Sequence, residues 1–281
     1  MTIAAGFRCA DGVVLCADTQ EVTQGFLKTR VPKLIIRPQG MIVREGIWTV
    51  FAGAGHGPLI DKLIDKAWSA VEGAVPFFEP VCNAIEEAIK SYHQELTTLF
   101  QSGDPDYPRA ELIYGVSVKD DVGLFKATGP IVNPVPRYET AGSGEVLAKY
   151  IADVFTPIDG LLSVRQAAII SLYALQQTKE HAEGCGGDSH VVILQRSEDP
   201  KSLESPKVAG ATYNLWNLEV IARRLFLAVP DLEMSEEEFS KELGTILTMI
   251  QGSRKQHQEF LRKFDESLFN TTKSKRSDAQ K

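Results

Sequence analysis

The chain has 281 residues, 43% of them hydrophobic and 24% charged, with a formal net charge of −7. A chain of this length buries roughly 75% of its unfolded surface, so it needs no disulfide or metal staple, and its composition excludes wholesale disorder. The acidic balance argues against general nucleic-acid binding, and the longest charge-free run, Gly46 to Ile60, is too short and too glycine-rich to span a bilayer.

The first two segments, Thr2–Cys9 and Val13–Asp18, are rich in β-branched and apolar residues. Asp11-Gly12 lies between them and is a hairpin turn signal. A polar stretch, Thr19–Arg30, follows. Strand-like runs then lie around Lys33–Arg37 and Ile47–Ala52. After Gly53-Ala54-Gly55-His56-Gly57 the period changes: Leu59, Leu63, Ala67 and Ala70 recur at helical spacing. Ile85, Ala88, Ile89, Tyr92 and Leu96 place a second helix over Pro80–Phe100. Strands resume at Glu111–Val118 and Val122–Thr128, and the proline-rich Pro130–Arg137 reads as loop or sheet edge.

Gly142-Ser143-Gly144 precedes a helix over 145–155, and a longer helix spans 164–181. His190–Leu194 reads as a last core strand. Strands in hairpins and helices in pairs predict two sheets between helix layers rather than alternating βαβ units. Residues 199–269 read as a helical C-terminal extension on a domain of 2–198. A helix fits Trp216–Val229, Ser235 and Glu238 form a capping box, and Phe239, Leu243, Ile246 and Ile250 continue on one face. That face serves self-packing or a subunit contact. Residues 270–281 are small and polar and read as a flexible tail.

Four cysteines are too few for a disulfide scaffold, and the start MTIAAGF lacks a basic region like that of a signal peptide. The expected setting is cytoplasmic and reducing, with no membrane and no nucleic-acid partner.

The chemistry begins at Thr2. A residue this small after an initiator methionine permits removal of Met1, which would leave Thr2 with a hydroxyl and a free α-amine. The two are a nucleophile and its base in one residue. An α-amine titrates near 7.7–8.0, so roughly a tenth of it is neutral at pH 7, and a nearby ammonium raises that share. Asp18 closes the strand paired with the first, and Lys33 opens the next apolar run.

Thr2-Ile3-Ala4-Ala5-Gly6-Phe7, then Asp11-Gly12-Val13-Val14-Leu15-Cys16-Ala17-Asp18-Thr19, then Val31-Pro32-Lys33-Leu34, resembles the opening of a proteasome β-type subunit. That family of N-terminal nucleophile (Ntn) hydrolases also includes the bacterial HslV peptidase. The resemblance covers roughly residues 2–195. It implies an α+β fold, a four-layer αββα sandwich, and a threonine peptidase that needs no cofactor or metal. Thr2 would be the nucleophile, Lys33 would lower its pKa, and Asp18 would orient Lys33. Gly53, in the strand-to-helix turn, would supply an oxyanion N–H. Ser143 would bond near the terminal amine and help shuttle its proton. Phe51 and Thr19 would contact substrate, Phe51 at the primary specificity pocket. A homo-oligomeric ring or helical stack acting on peptides or unfolded proteins is implied, and an ATPase activator is neither required nor excluded.

The sequence departs from the family pattern at its last motif. Gly186-Gly187 matches, but Cys185 stands in a serine place and Ala182 in an aspartate place, so either Glu183 or His181 compensates or the amine is held less firmly. Three alternatives stand beside the peptidase reading. One is an Ntn amidohydrolase acting on a small-molecule amide, and one is a structural subunit that keeps Met1. The third, a phosphate cradle at Gly53–Gly57, lacks the required glycine spacing and lysine. A zinc site at His181, Cys185 and His190 would offer only three ligands across a glycine turn.

Overall fold

The computed structural model describes residues 2–23, 27–38, 46–100, 104, 107–203, 205–231 and 233–269. Met1 and the tail expected at 270–281 lie outside the described residues. By contact density the chain divides into two units, Met1–Glu204 and Ser205–Lys281.

In the first unit, β1 (Ala4–Arg8) and β2 (Gly12–Asp18) form the hairpin that Asp11-Gly12 predicts, closed by the Cys9 N–H on the Gly12 carbonyl at 2.8 Å. They lie in a five-stranded sheet with β10 (Tyr138–Ala141), β11 (Ser189–Gln195) and β12 (Lys201–Leu203), ordered β10-β1-β2-β11-β12. A second five-stranded sheet runs β5 (Leu34–Arg37), β6 (Ile47–Gly55), β7 (Ala110–Val118), β8 (Asp121–Thr128) and β9 (Ile131–Pro134) in chain order. The proline-bearing β9 takes the edge, where a missing N–H costs no ladder bond. A separate two-stranded ribbon, β3 (Gln20–Thr23) with β4 (Leu27–Arg30), occupies the stretch that reads as merely polar.

The pleat decides what each sheet face touches. Val50 and Ala52 of β6, with Ile113 and Leu124, pack against Val13, Leu15, Val192 and Leu194 of the first sheet. Gly6 makes that approach possible, because a Cβ there would lie 2.7 Å from Ile113 Cγ2. The opposite face, carrying Phe51, Leu112 and Tyr114, packs on Leu59 and Leu63 of α1 (Gly57–Gly73) and Ile85 and Ile89 of α2 (Phe78–Leu99). Two further helices, α3 (Glu145–Phe155) and α4 (Val164–His181), lie against the first sheet, α3 at β10 and α4 at β2 and β11. Each fully buried Leu or Ile in these clusters contributes about 1.5–3 kcal/mol. A capping box between Ser163 and Gln166 starts α4. All seven residues of β2 are buried, which gives it a continuous apolar run rather than an alternating one.

The second unit is a pair of helices, α5 (Ser205–Ala228) and α6 (Glu236–Phe269), in contact with each other. Ser235 and Glu238 cap α6 reciprocally, with the Glu238 N–H 3.3 Å from Ser235 Oγ and the Ser235 N–H 3.0 Å from the Glu238 carboxylate. No helix among the described residues is long and apolar enough to cross a membrane.

Candidate active site

Thr2 is separated from β1 by Ile3 alone and is 8% exposed. Its nitrogen donates to Ser143 Oγ at 3.1 Å, and its carbonyl accepts from the Gly144 N–H at 3.2 Å. The loop between β10 and α3 therefore holds Thr2 by its backbone and leaves the side chain out of the attachment. Gly142 makes the loop fit. Its φ is +98°, and a Cβ there would lie 2.3 Å from the Thr2 carbonyl oxygen. A side chain at that point displaces Thr2 directly. Were Thr2 a reacting group, Gly142→Ala would be expected to cost at least about 10²-fold in turnover, because misplacing such a group by about 1 Å has that effect. Steady-state kinetics on a refolded variant checks it.

Asp18 ends β2 and is completely buried. One carboxylate oxygen accepts from the Ile3 N–H at 3.1 Å and from Lys33 Nζ at 2.6 Å. The other accepts from the Gly186 N–H at 2.9 Å. Lys33 Nζ also donates to the Gln20 carbonyl. A buried ion pair is tolerable only when its remaining hydrogen-bonding positions are filled, and these three segments fill them. The same bonds tie the residue after Thr2 to the lysine.

Gly53 belongs to β6, which runs on to Gly55 and makes the expected turn into the end of a strand. Gly53, Thr2 and Lys33 border one cleft of about 270 Å³. A second cleft of about 260 Å³ borders Thr2 on its other side, with Ser143, Gly142, Arg109 and Glu111. Neither Phe51 nor Thr19 lines these clefts. Phe51 is fully buried beneath the sheet, its ring 5.6 Å from that of Tyr114. Ile35, which pairs with Phe51 across the ladder and so shares its face, and Ile60 supply apolar cleft wall instead. Thr19 Oγ1 accepts from the Asp188 N–H at 2.8 Å and ties two strand ends together.

The divergent motif also lies here. Cys185 is buried, and its sulfur is 3.7 Å from Ser143 Oγ. Burial pushes its thiol pKa up, and the contact with Ser143 partly opposes this. His181 and Glu183 are both exposed and have no hydrogen bond to the motif, so neither fills the place of the missing aspartate. Lys179 is the residue the sequence reading missed. Its ammonium donates to the Gly187 carbonyl at 3.0 Å and to Ser189 Oγ at 2.7 Å. Burial lowers its pKa, opposed by the charges of Asp18 and Asp188. The only sequence signal was a lysine next to the buried Thr178 on a core-facing helix. Among the described residues, no group of three or more His, Cys, Asp or Glu side chains is placed to hold a metal ion. His56 caps α1, its ring nitrogen accepting from the Leu59 N–H at 3.3 Å.

No protein-family model and no curated protein matches the chain. Solved structures do. A Gly-1 mutant of Anbu from Hyphomicrobium sp. strain MC1 aligns with a TM-score of 0.66 at 16% identity, over 83% of this chain and 100% of that one. Anbu from the same strain aligns at 0.64 and 15% identity, again over 83% and 100% of the two chains. Anbu from Yersinia bercovieri, described as an ancestral beta-subunit, gives 0.64 and 15% over the same shares. Identities this low carry the fold alone, and the chain has the proteasome-like fold of these Anbu structures.

Proposed function

We propose that the chain is a threonine-type N-terminal nucleophile hydrolase that cleaves peptide bonds, built as a four-layer αββα sandwich. The observation that carries this reading is the contact of Thr2 nitrogen with Ser143 Oγ at 3.1 Å, together with a buried Asp18–Lys33 pair whose lysine borders a cleft with Thr2. Once Thr2 is the first residue, its α-amine takes the proton of its own hydroxyl, and the oxygen attacks the substrate carbonyl. The Lys33 ammonium favours the neutral amine and stabilises the developing alkoxide. The Gly53 N–H receives the oxyanion, and a donor of this kind is worth roughly 2.7–4 kcal/mol in the transition state. The amine then hands its proton to the leaving nitrogen, and water releases the acyl group from Thr2. Asp18 and Ser143 are positioning residues in this scheme.

Assembly into a homo-oligomer belongs to the same proposal. Val146, Tyr150 and Val154 form an exposed stripe at helical spacing along α3, 77%, 65% and 56% accessible, which supports burial against another copy. Light scattering of the purified protein at micromolar concentration is expected to give a mass of several chains, and a monomeric mass overturns this part. All four cysteines are unpaired, which fits a reducing compartment.

Intact-mass measurement before and after a peptide epoxyketone tests the chemistry. That probe closes a ring on the amine and the hydroxyl of an N-terminal threonine together. The expected result is a chain beginning at Thr2 that carries one adduct. A chain beginning at Thr2 with no adduct points to a small-molecule amide as substrate. A retained Met1 with no adduct points to a structural subunit.

A further inference from the structure

The two clefts beside Thr2 have different chemical duties if Thr2 is the nucleophile, a reading on which this inference rests. The cleft shared with Gly53 is lined by both the proposed nucleophile, Thr2, and the proposed oxyanion donor. It therefore receives the side chain of the residue whose carbonyl is attacked. The cleft shared with Ser143 borders the amine that returns its proton, so it receives the leaving group.

The lining of the acyl-side cleft is mixed. Val31, Ile35 and Ile60 are apolar, while Glu21 and Asp61 bring two carboxylates. Neither carboxylate has an ion-pair or hydrogen-bond partner among the described residues. The neighbouring cations are engaged elsewhere. Lys33 is paired with Asp18 at 2.6 Å and also donates to the Gln20 carbonyl. The register of β3 and β4 sets Thr29 opposite Glu21 and Arg30 opposite Gln20, so Arg30 projects from the other face and meets Asp188 at 3.2 Å. Arg37 meets Asp65 at 3.2 Å. Glu21 Oε1 lies 3.7 Å from where a Cβ on Gly57 would sit, which places its carboxylate at the cleft margin formed by the start of α1. The cleft thus combines apolar wall with two uncompensated negative charges. Its volume of about 270 Å³ suits one long side chain rather than a drug-sized ligand.

We propose that the acyl side of the site selects lysine or arginine, the methylene stem lying on Val31, Ile35 and Ile60 and the cation meeting Glu21 and Asp61. Lysine and arginine have this division, an apolar stem with a charged head. A leucine would leave the carboxylates without a cation, and a glutamate would add a third like charge.

The test uses three peptide epoxyketones that differ only in the residue adjoining the warhead: arginine, leucine or glutamate. Their rates of adduct formation on the full-length protein are followed by intact mass. The arginine probe is expected to label about tenfold faster than the leucine probe, a difference of about 1.4 kcal/mol, and the glutamate probe slowest. Added salt should shrink the arginine advantage, since the charges are partly solvated. In the Glu21→Gln/Asp61→Asn double variant the ratio of arginine to leucine rates should fall to about one. A ratio is read because misfolding lowers both rates together and leaves it unchanged. Labelling of Thr2 at equal rates by arginine and leucine, or a ratio that survives the double variant, overturns this specificity and leaves the nucleophile standing. Failure of all three probes to label Thr2 overturns both readings.

Discussion

Exchange of Thr2 for alanine is expected to lower kcat/KM for amide hydrolysis by about 10⁴–10⁶-fold, the range seen when a nucleophile is deleted from a working catalytic set. The same exchange should leave the fold in place. Thr2 is anchored by its nitrogen on Ser143 and its carbonyl on Gly144, and its side chain takes no part in either bond. The thermal midpoint should therefore move by no more than about 2–4 °C, which corresponds to roughly 1 kcal/mol for a unit of this size. Thr2→Ser keeps both the hydroxyl and the amine and should retain measurable turnover. Fluorogenic peptide hydrolysis and a circular-dichroism melt on each variant decide the matter. A Thr2→Ala protein with unchanged turnover would eliminate the proposed mechanism.

The second large effect is expected on stability. Lys33→Met keeps the methylene stem and removes the charge, leaving the fully buried Asp18 bonded to two backbone N–H groups and to no cation directly. Removing one partner of such a pair costs about 3–5 kcal/mol, because the other charge stays buried without compensation. The Asp18→Asn/Lys33→Met double variant should lose less than the sum of its two singles, since no charge is then stranded. The urea midpoint of each protein measures this. A loss below about 1 kcal/mol in the single lysine variant would mean that the pair behaves as a solvent-exposed one.

The parts of the fold that were readable in the sequence are those with local causes. The β1–β2 hairpin follows from Asp11-Gly12 between two apolar runs. Helices α3 and α4 follow from periodicity, α3 also from the Gly142-Ser143-Gly144 turn before it. The strands that escaped notice have distant causes. Strand β10 is Tyr138-Glu139-Thr140-Ala141, four residues after a proline-rich run, and it exists because β1 lies beside it with Ala4 opposite Ala141. The β3–β4 ribbon is polar and lies apart from both large sheets, so no hydrophobic alternation marks it. At the site, Thr2, Asp18 and Lys33 stand out because residue type and order along the chain suffice to find them. Phe51 shares its sheet face with Gly53 and Ile35 but lies in the cluster with the two helices, and that packing is not written in the strand's own residues. Lys179 was invisible because its partners, the Gly187 carbonyl and Ser189, reach it only when β11 docks beside α4.

The clamp on Thr2 also sets a timetable. Two of its jaws, Ser143 and Gly144, and the Gly186 N–H that completes the Asp18 shell, are encoded far downstream of the residue they hold. At ribosomal rates of about 5–20 residues per second, Gly186 is synthesised roughly 10–40 s after Thr2. During that interval whatever precedes Thr2 is open to an aminopeptidase. Afterwards the residue is fastened and almost entirely covered. A nitrogen still joined to a preceding residue is an amide without a basic lone pair, so under the proposed mechanism a chain trimmed too late would fold and stay inert. The fraction of active sites in a preparation then records a race between the trimming enzyme and the ribosome, and overexpression that outpaces trimming should yield well-folded protein of low specific activity.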